Sequence, residues 1–176
     1  ILKKILKLLI AIDKNRFAYL KPFAKALSKY NVECKIIDEL GIYDNSIFSK
    51  KILRWLYTPK MFKNVICDFM PDVIFTERAS HFSLLVLKTK IPLIIFVRGD
   101  MWKESNLAKQ TIHASFQKKI QILLKNQIRE KCFKNKSTIV LPICKYLTNI
   151  IKNRYPEKMI ITLYQGIEKK VIKSYV

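Results

Sequence analysis

A doubly wound α/β fold, a mostly parallel sheet with helices on both faces, is what this sequence predicts, and three observations carry the prediction. Short β-branched runs alternate with longer segments of helical period, the sign of strands joined by crossover helices. The run Leu93-Ile94-Ile95-Phe96-Val97 is continuously apolar, as a strand buried on both faces must be. At 176 residues, half of them hydrophobic, the chain has the size and apolar content of one such domain.

The elements follow in order. Leu8 to Ile12 reads as the first strand, ending in the polar Asp13-Lys14-Asn15-Arg16, after which Phe17, Leu20, Ala24, Leu27 and Tyr30 mark one face of a helix that Asn31 closes. Val32, Cys34 and Ile36 alternate with Glu33 and Lys35 in a second strand that stops near Asp38-Glu39-Leu40-Gly41. A helix pair is expected next, a basic one over Ser49 to Tyr57 and, beyond the interruption at Pro59, another over Met61 to Phe69. Pro71-Asp72-Val73-Ile74-Phe75 leads a third strand to Thr76-Glu77-Arg78, and Phe82, Leu85 and Val86 suggest a short helix. Pro92 introduces the central strand, which ends at Arg98-Gly99-Asp100. The longest amphipathic helix is expected from Ile112 to Cys132, with Phe116, Ile120, Leu123, Leu124 and Ile128 at helical spacing. Thr138 to Leu141 is then a strand, Leu147 to Tyr155 a helix, and Met159 to Leu163 a last strand leading into Tyr164-Gln165-Gly166.

With right-handed crossovers these steps give a Rossmann-like sheet, whose functional groups collect at the carboxyl ends of its strands. That rule gathers Asp13 and Asn15, Asp38, Glu77 and Arg78, Arg98 to Asp100, and the Gln165-Gly166 turn on the rim of one cleft.

Composition narrows the function classes. The 34 Lys and Arg against 13 Asp and Glu leave a formal charge of +21, which points to an anionic partner, nucleic acid or the anionic face of a membrane, with a compositional bias toward solvated lysines as the alternative. No helix-turn-helix, RNA-recognition or zinc module is readable, and the aromatics fall in core-like periods, so nucleic acid is the weaker alternative. The four cysteines lie far apart without a C-x-x-C pair and read as buried small hydrophobes of a reducing compartment. No apolar run approaches the about 20 residues of a spanning helix, and no small-residue cleavage site follows the basic N-terminal stretch. None of the three glycines follows the first strand, which argues against a dinucleotide site. The two histidines, His81 and His113, stand near no nucleophile motif. Arg98-Gly99-Asp100 has two readings, a ligand-contacting turn at the exit of the most buried strand or a β–α turn whose aspartate caps the next helix.

The order of the segments adds a family likeness. The strand Pro71 to Phe75 with Glu77, then Ile91 to Trp102, a long basic helix, Thr138 to Ile143, and finally Asn153-Arg154-Tyr155-Pro156 through Gln165-Gly166-Ile167-Glu168 resembles the N-terminal, acceptor-side domain of family 4 glycosyltransferases of the GT-B fold. The resemblance covers residues 5 to 168. It implies a domain over 1–168, with Gln165, Gly166 and Glu168 as the hinge and 169–176 as the start of a linker into a C-terminal domain that this sequence lacks. That partner domain would bind the nucleotide-sugar donor, so the chain alone is expected to be inactive and to hold neither cofactor nor metal. The resemblance implies Asp100 as the residue that contacts the acceptor hydroxyl or takes its proton, with Asp13, Asn15, Arg16, Glu77, Arg78, Arg98 and Gly99 around the acceptor. Two positions depart from the family pattern. Arg98 stands where histidine is common, and Asp13-Lys14-Asn15-Arg16-Phe17 replaces a glycine pair, which puts the side chains of Asn15 and Arg16 where other members use backbone.

Many members act on lipid-linked acceptors. The run Lys50-Lys51-Ile52-Leu53-Arg54-Trp55-Leu56-Tyr57 combines cations with Trp and Tyr, as a helix lying on an anionic membrane would, with Lys50, Lys51, Arg54 and Trp55 in contact; a core helix with solvated lysines is the alternative. A cytoplasmic protein, peripheral at the cytoplasmic face of the membrane, is the corresponding expectation. A non-catalytic subunit that recruits a separate catalytic chain to the membrane fits the same residues.

Overall fold

Five parallel strands form one sheet in the order β2-β1-β3-β4-β5, with β1 over Leu6–Ile12, β2 over Val32–Asp38, β3 over Val73–Thr76, β4 over Leu93–Val97 and β5 over Thr138–Pro142. The structure, a computed structural model, describes residues 5–43, 59–111 and 116–164. The helices are α1 (Phe17–Ser28), α2 (Lys60–Phe69), α3 (His81–Val86), α4 (Met101–Thr111), α5 (Phe116–Lys134) and α6 (Lys145–Arg154), with a 3-10 turn over Lys14–Arg16 ahead of α1. This is the doubly wound, Rossmann-like class that the sequence predicts.

The two-residue period of a strand sends alternate side chains to opposite faces, and here both faces are covered. Leu9 and Ala11 join Ile74, Leu93, Ile95, Val97 and Val140 in a core shared with α2, α3, α5 and α6. Leu8, Ile10 and Ile12 join Phe75 and Phe96 in a smaller core, closed by Leu20 and its neighbours on α1. The chain winds from β1 outward to β2, then crosses back to β3 on the other side. The direction therefore reverses between β1 and β3, and a crevice opens beyond the carboxyl ends of those strands.

Several boundaries differ from the sequence reading. Helix α1 stops at Ser28; Tyr30 lies beyond it, exposed, and Asn31 takes the left-handed conformation that ends the segment. Met159 to Leu163 makes only a single parallel bridge, Ile160 to Val140, flanked by backbone hydrogen bonds from Ile161 to Val140 and from Leu163 to Pro142. Helix α4 has no counterpart in the periodic reading, because none of its residues from Met101 to Gln110 is fully buried and no apolar stripe marks it. On α5 the expected apolar stripe is only half used: Phe116, Ile120 and Leu123 are exposed, while Ile128, Arg129, Cys132 and Phe133 are buried, since only the C-terminal half of the helix packs on the core. The basic segment from Ser49 to Tyr57 lies outside the described residues. No described helix is long and apolar enough to cross a membrane.

Candidate functional site

Glu77, the first residue after β3, organises the rim. It is buried, and its Oε1 accepts from Arg16 Nη1 at 2.6 Å, from Arg98 Nη1 at 2.8 Å and from the Tyr19 hydroxyl. The local folding that delivers these donors is simple. The Asp13 carboxylate caps the turn after β1 by accepting from the Asn15 amide at 3.0 Å, while its carbonyl accepts from the Arg16 amide, and this turn leads directly into α1 with Tyr19 in its first turn. Arg98 leaves the end of β4, two strands from β1, and its guanidinium also lies over the Tyr19 ring at 5.1 Å. Burial alone would raise the Glu77 carboxyl, but the three donors outweigh it and hold the group below the usual carboxylate range. Burial, and then the bond to Glu77, push the Tyr19 hydroxyl up to about 12, so it stays a donor at neutral pH.

A cleft of about 810 Å³ opens beside this network. Its lining includes Arg16, Glu77, Arg78, His81, Arg98, Gly99, Glu104, Lys125 and Arg129, drawn from the turn after β1, the ends of β3 and β4, and α3, α4 and α5. Arg78 is exposed at its edge. At Gly99 a Cβ would come 2.6 Å from Glu104 Oε1, so the missing side chain is what lets that carboxylate lie against the turn.

Asp100 is occupied structurally. Its Oδ1 accepts from the amides of Trp102 at 3.1 Å and Lys103 at 3.0 Å, which makes it the N-cap of α4. Asp100, Asp13 and the exposed Asn15 stand outside the cleft lining. The structure therefore brings Arg16, Glu77, Arg78, Arg98 and Gly99 together and leaves those three beside them. Lys50, Lys51, Arg54, Trp55, His113, Gln165, Gly166 and Glu168 lie outside the described residues.

Four participants escaped the sequence reading. Tyr19 adjoins the apolar stripe of α1 and so reads as packing. Glu39 accepts from Ser80 Oγ at 2.9 Å; burial raises its carboxyl, Ser80 and Arg78 counter that, and Asp13 and Asp38 add to the rise. Ser80 also caps α3 in a reciprocal pair with Ser83, a capping box legible in principle from the two serines three apart. Arg129 is the largest omission. Only 8% exposed, it donates to Met101 O, Ser105 Oγ and Asn126 Oδ1 and stacks over Trp102 at 5.5 Å. Its position next to Ile128 and four before Phe133 places it in the buried stripe of α5, a signal that its charge masked.

Comparison of the chain with family models, with curated proteins and with solved structures found no match. Among the described residues no group of three or more His, Cys, Asp or Glu stands together as a metal site. What the arrangement can do is bind: fixed donors at strand ends, in a cleft with more cations than carboxylates, suit a polar ligand carrying negative charge.

Proposed function

We propose that this chain is the acceptor-binding domain of a glycosyltransferase of the GT-B type, with the cleft at the ends of β3 and β4 as the acceptor site. The observation that carries the reading is the Glu77 cluster: three donors from two segments distant in sequence converge on one carboxylate at the carboxyl edge of a Rossmann-like sheet, where such sheets hold ligands. In this reading Arg16 and Arg98, oriented by Glu77 and by Tyr19, present their remaining N–H groups to the ligand's hydroxyl and ether oxygens. Glu77 itself, held ionised by three donors, is a weak proton acceptor and serves to position the arginines. The nucleotide-sugar donor belongs to a second, C-terminal domain, and transfer requires both.

The test is an NMR amide-shift titration of the chain with methyl glycosides and short oligosaccharides. The expected result is saturable shifts clustered at Arg16, Glu77 to His81 and Arg98 to Glu104, lost in Arg98→Ala. Shifts that cluster elsewhere, or no shift with any sugar, would overturn the reading.

A further inference from the structure

The two ends of the cleft treat positive charge differently. Arg16 and Arg98 share the Glu77 carboxylate. Arg129, at the α4–α5 end, is far more buried than either, yet its four hydrogen bonds within the described residues all go to neutral oxygens, three of them at 3.2 Å or more. Among the described residues no carboxylate oxygen comes within 4.0 Å of it. Burial lowers the guanidinium's pKa from its ordinary value, against the through-space pull of Tyr155, Glu104, Glu130 and Asp100. A buried cation without a counter-ion is costly to maintain, and lining an open cleft gives it a use. The neighbouring lining adds Lys125 and Arg78, both exposed and neither within salt-bridge distance of a described carboxylate.

We infer that Arg129, with Lys125 and Arg78 at the rim, forms an anion site for a phosphate or diphosphate ester, so that the ligand of this cleft carries its negative charge at the α4–α5 end and its neutral polar groups at the Glu77 end. This inference rests on the acceptor-site reading and specifies the acceptor's class. The chemistry is that of a planar guanidinium, which matches two phosphate oxygens at once, with the Trp102 ring 5.5 Å from its central carbon. At about 810 Å³ the cleft has room for a diphosphate together with a sugar.

The experiment is calorimetric titration of the full chain with inorganic pyrophosphate, using sodium chloride to match ionic strength, on the wild type and on Arg129→Met and Lys125→Gln. Single-site, saturable binding is expected, weakened about tenfold by Arg129→Met and about threefold by Lys125→Gln, as loss of a charge-assisted contact and of a rim charge would give. Binding that does not saturate, or that neither variant changes, overturns the site and leaves an unspecific effect of the overall charge. Circular dichroism checks that Arg129→Met is folded; should it not be, the exposed Lys125 carries the test alone. Glycoside shifts without pyrophosphate binding would sink the phosphate site and leave the acceptor reading standing, and the reverse pair of results would do the opposite. Vesicles of phosphatidylcholine with phosphatidic acid then separate the sources: sedimentation that pyrophosphate abolishes assigns the phosphate to a lipid head group, and sedimentation that it leaves intact assigns it to a soluble ester.

Discussion

At the Glu77 end of the cleft two arginines converge on a carboxylate; at the α4–α5 end one arginine is buried among neutral oxygens. The same residue type is therefore paired with a carboxylate in one place and bonded to neutral oxygens in the other. Removing one member of the first group strands the rest, whereas removing Arg129 takes away a charge that no described carboxylate meets within 4.0 Å.

The sharpest way to break this contrast is to change each end in turn. Glu77→Gln leaves two guanidiniums and a phenol around an amide, and we expect it to cost roughly 2–3 kcal/mol, less than a fully buried pair because Arg16 and Arg98 are 35% and 39% exposed. Arg129→Met, which replaces a charge with no described carboxylate within 4.0 Å by an apolar chain of similar length, is expected to cost about 1 kcal/mol despite the deeper burial. Urea unfolding measures both, and equal losses would erase the distinction. The pH dependence adds a signature. The folded-state pKa of Glu77 lies below its ordinary 4.5, so its contribution is fully present above that value and fades as pH falls through the folded pKa. The gap between wild type and Glu77→Gln should hold from about pH 7 to about pH 5 and narrow as the pH falls further, through the depressed folded-state pKa. A gap that is as wide in acid would assign the loss to packing.

A smaller effect distinguishes the two readings of Asp100. Asp100→Ala removes both amide contacts at the start of α4 and should lower stability by about 1 kcal/mol. Asp100→Asn keeps an equally good cap, so thermal unfolding should be unchanged, and glycoside shifts should be unchanged as well because Asp100 stands outside the cleft lining. Loss of glycoside binding in Asp100→Asn at unchanged stability would instead restore the carboxylate to the acceptor.

What the sequence disclosed and what it withheld divide along a physical line. The strand Leu93–Val97 is bounded as read, because a proline and a continuous apolar run are local signals. Glu77 and Arg98 were found by a rule about strand ends that needs only the order of elements, and Arg16 through the family resemblance. The convergence of those three on one oxygen, and the part of Tyr19 in it, depends on the lateral order β1-β3-β4, which no local pattern encodes. Helix α4 and Arg129 were missed for a shared reason. Each lacks its own apolar signature and is held by the other: Arg129 donates to the Met101 carbonyl and Ser105 hydroxyl, and covers Trp102, all on α4. A charged residue in a helix reads as solvated until the neighbour that covers it is known.

Glu104 gives the finest adjustment of the comparison. It is exposed, lines the cleft and lies against Gly99, so an incoming anion meets its charge without being in contact with it. Glu104→Gln should leave stability within about 0.5 kcal/mol of wild type, as exposed substitutions do, and should tighten pyrophosphate binding about two- to threefold at low ionic strength. The gain should shrink toward nothing at about 0.5 M salt, where screening shortens the reach of a surface charge to a few ångströms. Titration at two salt concentrations reads this directly. Weaker binding in Glu104→Gln would mean that the carboxylate holds the Arg98-Gly99 turn in place for the ligand, and that its position over the missing Cβ, more than its charge, is what the cleft uses.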